Sequence, residues 1–250
     1  MIDPTLFAKP TALDRVQHRA QRLKPQGLRF DRTAGMNAMF VAAVEFIDAG
    51  RDYPIVFIEA GKGDDGQREV APVAVLGLSP GENLMLGNDG SWGARYVPAL
   101  LRGYPLGLAR TDTQSSYVVV IDATADALSD SEGELLFDDG GEPTPMLEER
   151  RKFLEQLEAE AQRTRLFGRS LLELDLLQTM RFDATLPDGR NLGVDGFLTV
   201  DDKKLADLPA EKLTTLHRNG SLALIHAHQF SLPLMRGLVE RRVAREPKMA

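Results

Sequence analysis

Two pairs of strand-like segments, each closed by a short polar connection, constrain the fold of this chain more than any other feature. In the first pair, residues 55–59 and 70–78 are apolar runs rich in β-branched side chains, separated by a glycine-rich segment. In the second pair, residues 182–186 and 192–200 flank the turn sequence at 187–190. Strands joined by such short connections pair with each other in antiparallel fashion. The sequence therefore predicts an antiparallel sheet built from hairpins.

The predicted helices follow one another in runs and do not alternate with single strands. Apolar side chains recur at helical spacing over residues 36–48, and a longer amphipathic stretch covers 146–165. Three further helical segments follow residue 209, separated by glycine and proline. Hairpins combined with runs of helices are typical of the α+β class. We predict an α+β fold in which a hairpin-built antiparallel sheet packs against several helices, with a long helix in the middle of the chain.

A small group of large, partly polar side chains forms our candidate ligand-binding set. Asn88-Asp89-Gly90 is a strong hairpin-turn signal, and Trp92, the only tryptophan, follows it directly. The set is Glu45, Trp92, Arg95, Tyr96 and His226. Such side chains line ligand pockets, and they also pack within ordinary cores.

Glu45 is the most demanding member of this set. It lies among apolar residues in a segment predicted to be helical, and a carboxylate in such surroundings needs a partner. Arg95 is the partner we consider. An ion pair that supports the sheet is the structural alternative to a role in ligand binding.

His226 and His228 are the only histidines close together in the sequence. On a strand both rings would share a face and could hold a metal ion. The surrounding sequence predicts a helix instead, where positions two apart point about 200° away from each other. We therefore interpret them as core or surface histidines. An enzyme or metal-binding site around His226 and His228 is the alternative hypothesis. We assign no catalytic residue, no metal ligands and no cofactor.

The composition excludes several classes of function. The chain has no cysteine, so disulfides, thiolate nucleophiles and cysteine-based metal sites are absent. Its net charge of −7 argues against a general nucleic-acid-binding protein. The most apolar window, residues 36–47, is much shorter than the about 20 residues that a membrane span requires. The sequence shows no signal peptide, and we expect a soluble, cytoplasmic protein. Its expected partners are another protein or a second copy of the chain, with a small-molecule ligand also open.

The charge distribution suggests a simple division of the chain. Residues 1–34 are basic and are expected to form an N-terminal arm. Residues 35–243 are expected to form one composite α+β domain, with a sub-boundary near residue 143 left open. Residues 244–250 are expected to form a tail.

Twelve short blocks, in a fixed order, resemble the bacterial SapC family, and together they cover about residues 35–240. They are AVEF at 43–46, YPIVF at 53–57, PVAVLGL at 72–78, ENL at 82–84, Gly90, Trp92, RYVP at 95–98, YP at 104–105, LF at 136–137, GEPT at 141–144, GF at 196–197 and LIHAH at 224–228.

The resemblance implies a role but no chemistry. The family is named for a protein associated with a bacterial surface layer, and it offers no agreed activity or catalytic residues. Many members look like genomic neighbours of flavin-dependent tryptophan halogenases and outer-membrane receptors. This context implies an accessory role in the uptake or modification of a small molecule, and the family name implies a link to a surface layer as the alternative. The same name is used for a permease of a peptide transporter, and the absence of a predicted membrane span argues against that relationship. We therefore favour an accessory or binding protein over an enzyme.

Overall fold

A computed structural model describes residues 2–25, 30–63, 65–111 and 116–245. These residues group into two compact units. Unit 1 comprises the described residues of Met1–Thr33, Leu86–Trp92 and Ala99–Ala159, and unit 2 comprises those of Ala34–Met85, Gly93–Pro98 and Glu160–Ala250.

Antiparallel strands and helices make up the fold, which confirms the predicted α+β class. In chain order the elements are β1 (Pro10–Ala12), β2 (Arg22–Leu23), β3 (Ala38–Phe40), α1 (Phe46–Ala49), β4 (Ile55–Lys62), β5 (Arg68–Val75), α2 (Ala99–Gly103), β6 (Leu106–Arg110), β7 (Tyr117–Asp122), β8 (Leu128–Ser129), β9 (Glu134–Leu135), α3 (Pro145–Glu173), β10 (Leu177–Thr185), β11 (Asn191–Val200), α4 (Asp202–Ala206), α5 (Ala210–Arg218), α6 (Ser221–Ser231) and α7 (Met235–Arg245). Short 3-10 turns cover Asp31–Thr33, Ala43–Glu45 and Leu232–Leu234.

Unit 1 contains two small antiparallel sheets, with strand orders β1-β7-β6 and β8-β2-β9. Both sheets contribute to one apolar core, which the first turns of α3 complete. The buried members of this core are Leu23, Leu106, Leu108, Ile121, Leu136, Phe137, Leu147 and Leu154. The predicted N-terminal arm thus supplies strands to unit 1, since β1 pairs with β7 and β2 lies between β8 and β9.

Unit 2 contains a five-stranded antiparallel sheet with strand order β10-β11-β4-β5-β3. The predicted hairpins are its main parts, formed by β4 with β5 and by β10 with β11. The second hairpin closes at Gly189, whose φ of +85° lies in the left-handed region that favours glycine. A single residue pair, Leu198 and Phe57, joins the two hairpins into one sheet.

The prediction of one helix over residues 36–48 is wrong in its first half. Ala38–Phe40 form β3, which pairs with β5 at the edge of the sheet, and helical backbone begins only at Ala43. The helical spacing of Met36, Met39 and Phe40 does not decide the structure here, because the edge of β5 is available and Ala38–Phe40 pair with it. Val44 and Ile47, expected on the buried stripe, are instead 63% and 59% exposed.

The long middle helix is confirmed, and α3 continues beyond the predicted range to Glu173. No helix in the described ranges is both long and apolar enough to cross a membrane. Of the predicted tail, residues 246–250 lie outside the described residues. The division into arm, composite domain and tail stays a prediction.

Candidate functional site

Glu45 and Tyr96, two members of the predicted set, meet within unit 2. Glu45 is only 4% exposed. Its Oε1 accepts a hydrogen bond of 2.8 Å from the Tyr96 hydroxyl, and its Oε2 accepts one of 2.8 Å from the Ala42 amide. Both carboxylate oxygens are therefore satisfied, as a buried charge requires.

The backbone of Tyr96 is fixed by two further side chains. The Tyr53 hydroxyl donates to the Tyr96 carbonyl oxygen, and the Tyr96 amide donates to Asp52 Oδ2 at 2.7 Å. Tyr53 itself is fully buried. These bonds hold the Tyr96 side chain in the position from which it reaches Glu45.

Arg95 and Trp92 lie elsewhere. Arg95 is exposed, and no hydrogen bond or ion pair joins it to another described residue. Tyr96 takes the place beside Glu45 that we considered for Arg95. Trp92 belongs to unit 1, where its ring lies 5.4 Å from the ring of Phe30, between centroids. A ligand-binding role for the five residues stays a prediction.

His228 is a buried structural residue that connects α6 to the five-stranded sheet. Its Nδ1–H donates to the Ile55 carbonyl oxygen at 2.7 Å, and its Nε2 accepts from the Val200 amide at 3.1 Å. Burial lowers the pKa of this imidazole to about 4, in spite of the bond to Ile55, which acts in the opposite direction. Both ring nitrogens are occupied by backbone groups, so neither has a lone pair available for a metal ion.

His226, by contrast, is exposed on α6, with its Nδ1 2.9 Å from Gln229 Oε1. It lies at the edge of a mainly apolar groove, and the exposed large apolar side chains of this groove are Ile47 and Phe230. The predicted helix is confirmed, and it separates the two imidazoles as expected. No group of three or more metal-ligating side chains occurs within the described part of the chain. The alternative metal site is therefore not favoured.

A cavity of about 280 Å³ in unit 1 offers a more suitable place for a ligand. Its floor is apolar and includes Leu6 and Leu101, which are almost fully buried. Phe30 and Ala127 extend this apolar lining. The polar members, several of them exposed at the mouth, are Lys24, Asp31, Arg32, Thr33, Tyr104 and Asp126. A concave apolar pocket with a few polar groups is the usual form of a small-molecule site.

Tyr104 is fixed at this cavity by the buried carboxylate of Asp122. The Tyr104 hydroxyl donates to Asp122 Oδ2 at 3.0 Å. Burial, and then this bond to a charged acceptor, raise the pKa of Tyr104 to about 12. The phenol proton is therefore directed away from the cavity and stays in place across the physiological pH range.

Asp122 is fully buried and accepts several hydrogen bonds besides the one from Tyr104. The other donors are the amides of Ala8, Lys9 and Thr124 and the hydroxyl of Thr124. Burial alone would raise the pKa of Asp122, but these bonds together outweigh it and the pKa lies below its ordinary value. The carboxylate is thus a charged anchor for the N-terminal segment, for β7 and for Tyr104.

Arg32 completes the polar side of the cavity. Its Nη2 donates to the Thr124 carbonyl oxygen at 2.8 Å and to the Thr124 hydroxyl at 2.9 Å. The guanidinium also interacts with the Tyr104 hydroxyl. Thr124 therefore links Arg32 to the same carboxylate that holds Tyr104.

Comparison with known proteins assigns the family. The SapC family model matches residues 13–238, which is most of the chain. The chain belongs to the SapC family. No curated protein and no solved structure gives a significant match to this SapC sequence.

The polar residues of the cavity lie within the SapC match, but sequence reasoning did not select them. Tyr104 entered only as part of a resembling block, and Asp122 carried one usable signal, a carboxylate directly after a buried strand. Arg32 carried none, because it is one of several cations in a basic segment. In this SapC protein the chain brings the three together from positions more than 15 residues apart in sequence.

Proposed function

We propose that this SapC family member is a non-enzymatic accessory protein that binds a small molecule in the cavity of unit 1. The observation that carries the proposal is the cavity itself, in which a buried apolar floor meets positioned polar groups. A cavity of about 150 Å³ is large enough to bind benzene. The larger volume found here suits a molecule with a single ring or a short chain.

The chemistry of the polar groups supports binding more than catalysis. A general acid or base must exchange a proton with its substrate near the working pH. The proton of Tyr104 is held by Asp122, and the Asp122 oxygens are occupied by protein donors. Both groups therefore act as fixed hydrogen-bonding partners rather than as proton carriers.

Calorimetric titration with four small probes tests the proposal. The probes are phenylacetate, 2-phenylethanol, hexanoate and 1-hexanol. We expect at least one to bind saturably at one site. An Ala127→Leu variant, which adds bulk to the cavity lining, is expected to weaken that binding about tenfold. The matched variant Ala123→Leu adds the same bulk at an exposed position outside the cavity and should bind like the wild type.

Two results would contradict the proposal. One is the absence of saturable binding by all four probes. The other is equal affinity in the wild type and in an Ala127→Leu variant whose melting temperature shows that it is folded.

The remaining functional expectations are part of the same proposal. We infer a cytoplasmic location and a role beside proteins that take up or modify small molecules, as the family resemblance implies. Cell fractionation tests the location. A protein partner, or association between copies, stays a prediction.

A further inference from the structure

From the geometry around Arg32 we infer that the ligand of the unit 1 cavity is a small organic carboxylate with an apolar body. This inference rests on the proposed function, since it names the class of molecule that the same cavity binds. Arg32 is the residue that selects the class.

Arg32 is a positioned cation whose partners are all neutral. Its guanidinium donates to two oxygens of Thr124 and interacts with the hydroxyl of Tyr104. No carboxylate among the described residues forms an ion pair with it. A guanidinium has five N–H donors in a fixed plane, and the contacts with Thr124 occupy only Nη2. The positive charge, and the donors of Nε and Nη1 that do not face Tyr104, therefore stay available at the mouth of the cavity.

The other charged groups of the cavity are less suited to selecting a ligand. Lys24 has an anionic partner already, with its Nζ 3.6 Å from Glu132 Oε2. The carboxylate of Asp31 lies against Gly90, in the turn before Trp92, and has contacts of its own. Asp126 forms no hydrogen bond or ion pair with Arg32 among the described residues. No described carboxylate thus pairs with Arg32, and an anionic ligand group suits the place beside it.

Tyr104 sharpens this preference. Because its proton is directed at Asp122, the hydroxyl presents an oxygen, and not a proton, to its other neighbours. The oxygen interacts with Arg32 and so helps to fix the orientation of the guanidinium. Planar guanidinium groups held in this manner bind carboxylates through two parallel hydrogen bonds.

The apolar part of the cavity defines the rest of the ligand. Leu6, Leu101 and Phe30 offer aliphatic surface and one aromatic ring. A ring or short chain would pack against them, with its carboxylate directed outwards to Arg32. The inferred class is therefore an arylalkyl or short-chain carboxylic acid in its ionised form.

Phenylacetate and 2-phenylethanol form a matched pair for the test, because they share a shape and differ in charge. We expect the wild type to bind phenylacetate about tenfold more tightly than the alcohol, with an affinity that falls as salt is added. An Arg32→Gln variant should lose that preference and keep its affinity for the alcohol within about twofold. An Arg32→Lys variant should recover only part of the preference, because an ammonium lacks the planar pair of donors.

The controls separate the selecting residue from the general charge of the protein. Arg19→Gln removes an exposed arginine outside the cavity and should leave both affinities unchanged. Lys24→Gln should also preserve the preference for phenylacetate.

Equal binding of acid and alcohol by the wild type would overturn the inference and leave the proposed function intact. A preference that survives Arg32→Gln but disappears in Lys24→Gln would overturn the assignment to Arg32. Failure of every probe to bind would remove the proposed function together with the inference.

Discussion

Glu45 shows how a buried carboxylate is accommodated by one tyrosine hydroxyl and one backbone amide. Its two oxygens receive Tyr96 and the Ala42 amide. The sequence predicted that Glu45 would need a partner, and this need follows from the cost of burying charge. The sequence could not identify Tyr96 as that partner. In an irregular segment, the direction in which each side chain points is set by tertiary structure and not by a local pattern. Arg95 and Tyr96 are adjacent in sequence, and only one of them faces Glu45.

Removing the hydroxyl of Tyr96 tests this pairing. We expect Tyr96→Phe to lower the free energy of unfolding by about 2 kcal/mol, because a buried charged acceptor loses a donor. Urea denaturation provides the measurement. In a Glu45→Gln background the same substitution should cost distinctly less, since the charge is already gone. Additive effects of the two substitutions would show that the hydroxyl and the carboxylate do not interact.

His228 gives the protein a defined sensitivity to acid. The imidazole binds a proton near pH 6.5 in an unfolded chain and near pH 4 in the folded protein. Between these values the unfolded state binds more protons, so that stability is complete above pH 6.5 and falls as the pH decreases towards 4. The total loss from this residue is about 3 kcal/mol.

Unfolding measured at several pH values from about 7.5 down to about 4.5, which covers most of the interval between the two pKa values, tests the effect of His228. A His228→Gln variant is expected to show a flatter pH dependence than the wild type. His226→Gln, a substitution at the exposed neighbour, should keep the wild-type slope. This prediction would be contradicted if the His228 imidazole signal, followed by NMR in the folded protein, titrated near its ordinary pKa.

At the scale of elements, the hairpins were the most predictable part of the fold. Their signals are local, because turn residues and alternating side chains act over a few positions. The first half of the predicted helix 36–48 failed for the opposite reason. β3 exists because β5 offers an unpaired edge to Ala38–Phe40, and that edge comes from residues more than 30 positions later. The cavity could not be predicted for the same reason, since Leu6, Arg32 and Tyr104 become neighbours only in the folded chain.

Two glycine-to-alanine substitutions separate turn geometry from helix propensity. Gly189 has a left-handed backbone in the β10–β11 turn, whereas Gly237 lies inside α7, and both have open space where a Cβ would be added. We expect Gly189→Ala to destabilise the protein by about 1 kcal/mol through backbone strain. Gly237→Ala should stabilise it by about 0.5–1 kcal/mol.

Thermal or urea unfolding measures both changes. The opposite signs are the essential result, since the added methyl group is the same in each variant. A loss of stability in both would indicate that the space beside Gly237 is not open in solution.

At the scale of the whole molecule, unit 1 depends on contacts between distant parts of the chain. The Ala8 and Lys9 amides donate to Asp122, at separations of 114 and 113 residues. Leu6 and Phe7 are 1% and 3% exposed. Composition showed this segment as basic and polar, and that description concealed two buried apolar residues. The charge of this N-terminal segment therefore did not predict that the segment contributes to the core of unit 1.

Deleting residues 2–12 should destabilise unit 1 strongly. The deletion removes β1, two buried apolar side chains and two donors to Asp122, and we expect a loss of at least about 4 kcal/mol. Chemical denaturation compares the shortened chain with a Val16→Ser variant. Val16 is 78% exposed, so this substitution should be nearly neutral. If the shortened chain does not fold, Asp122→Asn offers a milder test of the same anchor. Wild-type stability in both variants would contradict the role of this segment.

The contact between Trp92 and Phe30 has a practical consequence. Phe30 lines the cavity, Trp92 packs against it, and the chain has no other tryptophan. Fluorescence excited selectively at tryptophan therefore comes from one known position, next to the wall of the cavity. A molecule that enters the cavity and moves Phe30 would change the intensity or the wavelength of that fluorescence. The protein carries its own optical reporter, and the occupancy of the cavity can be followed without a label.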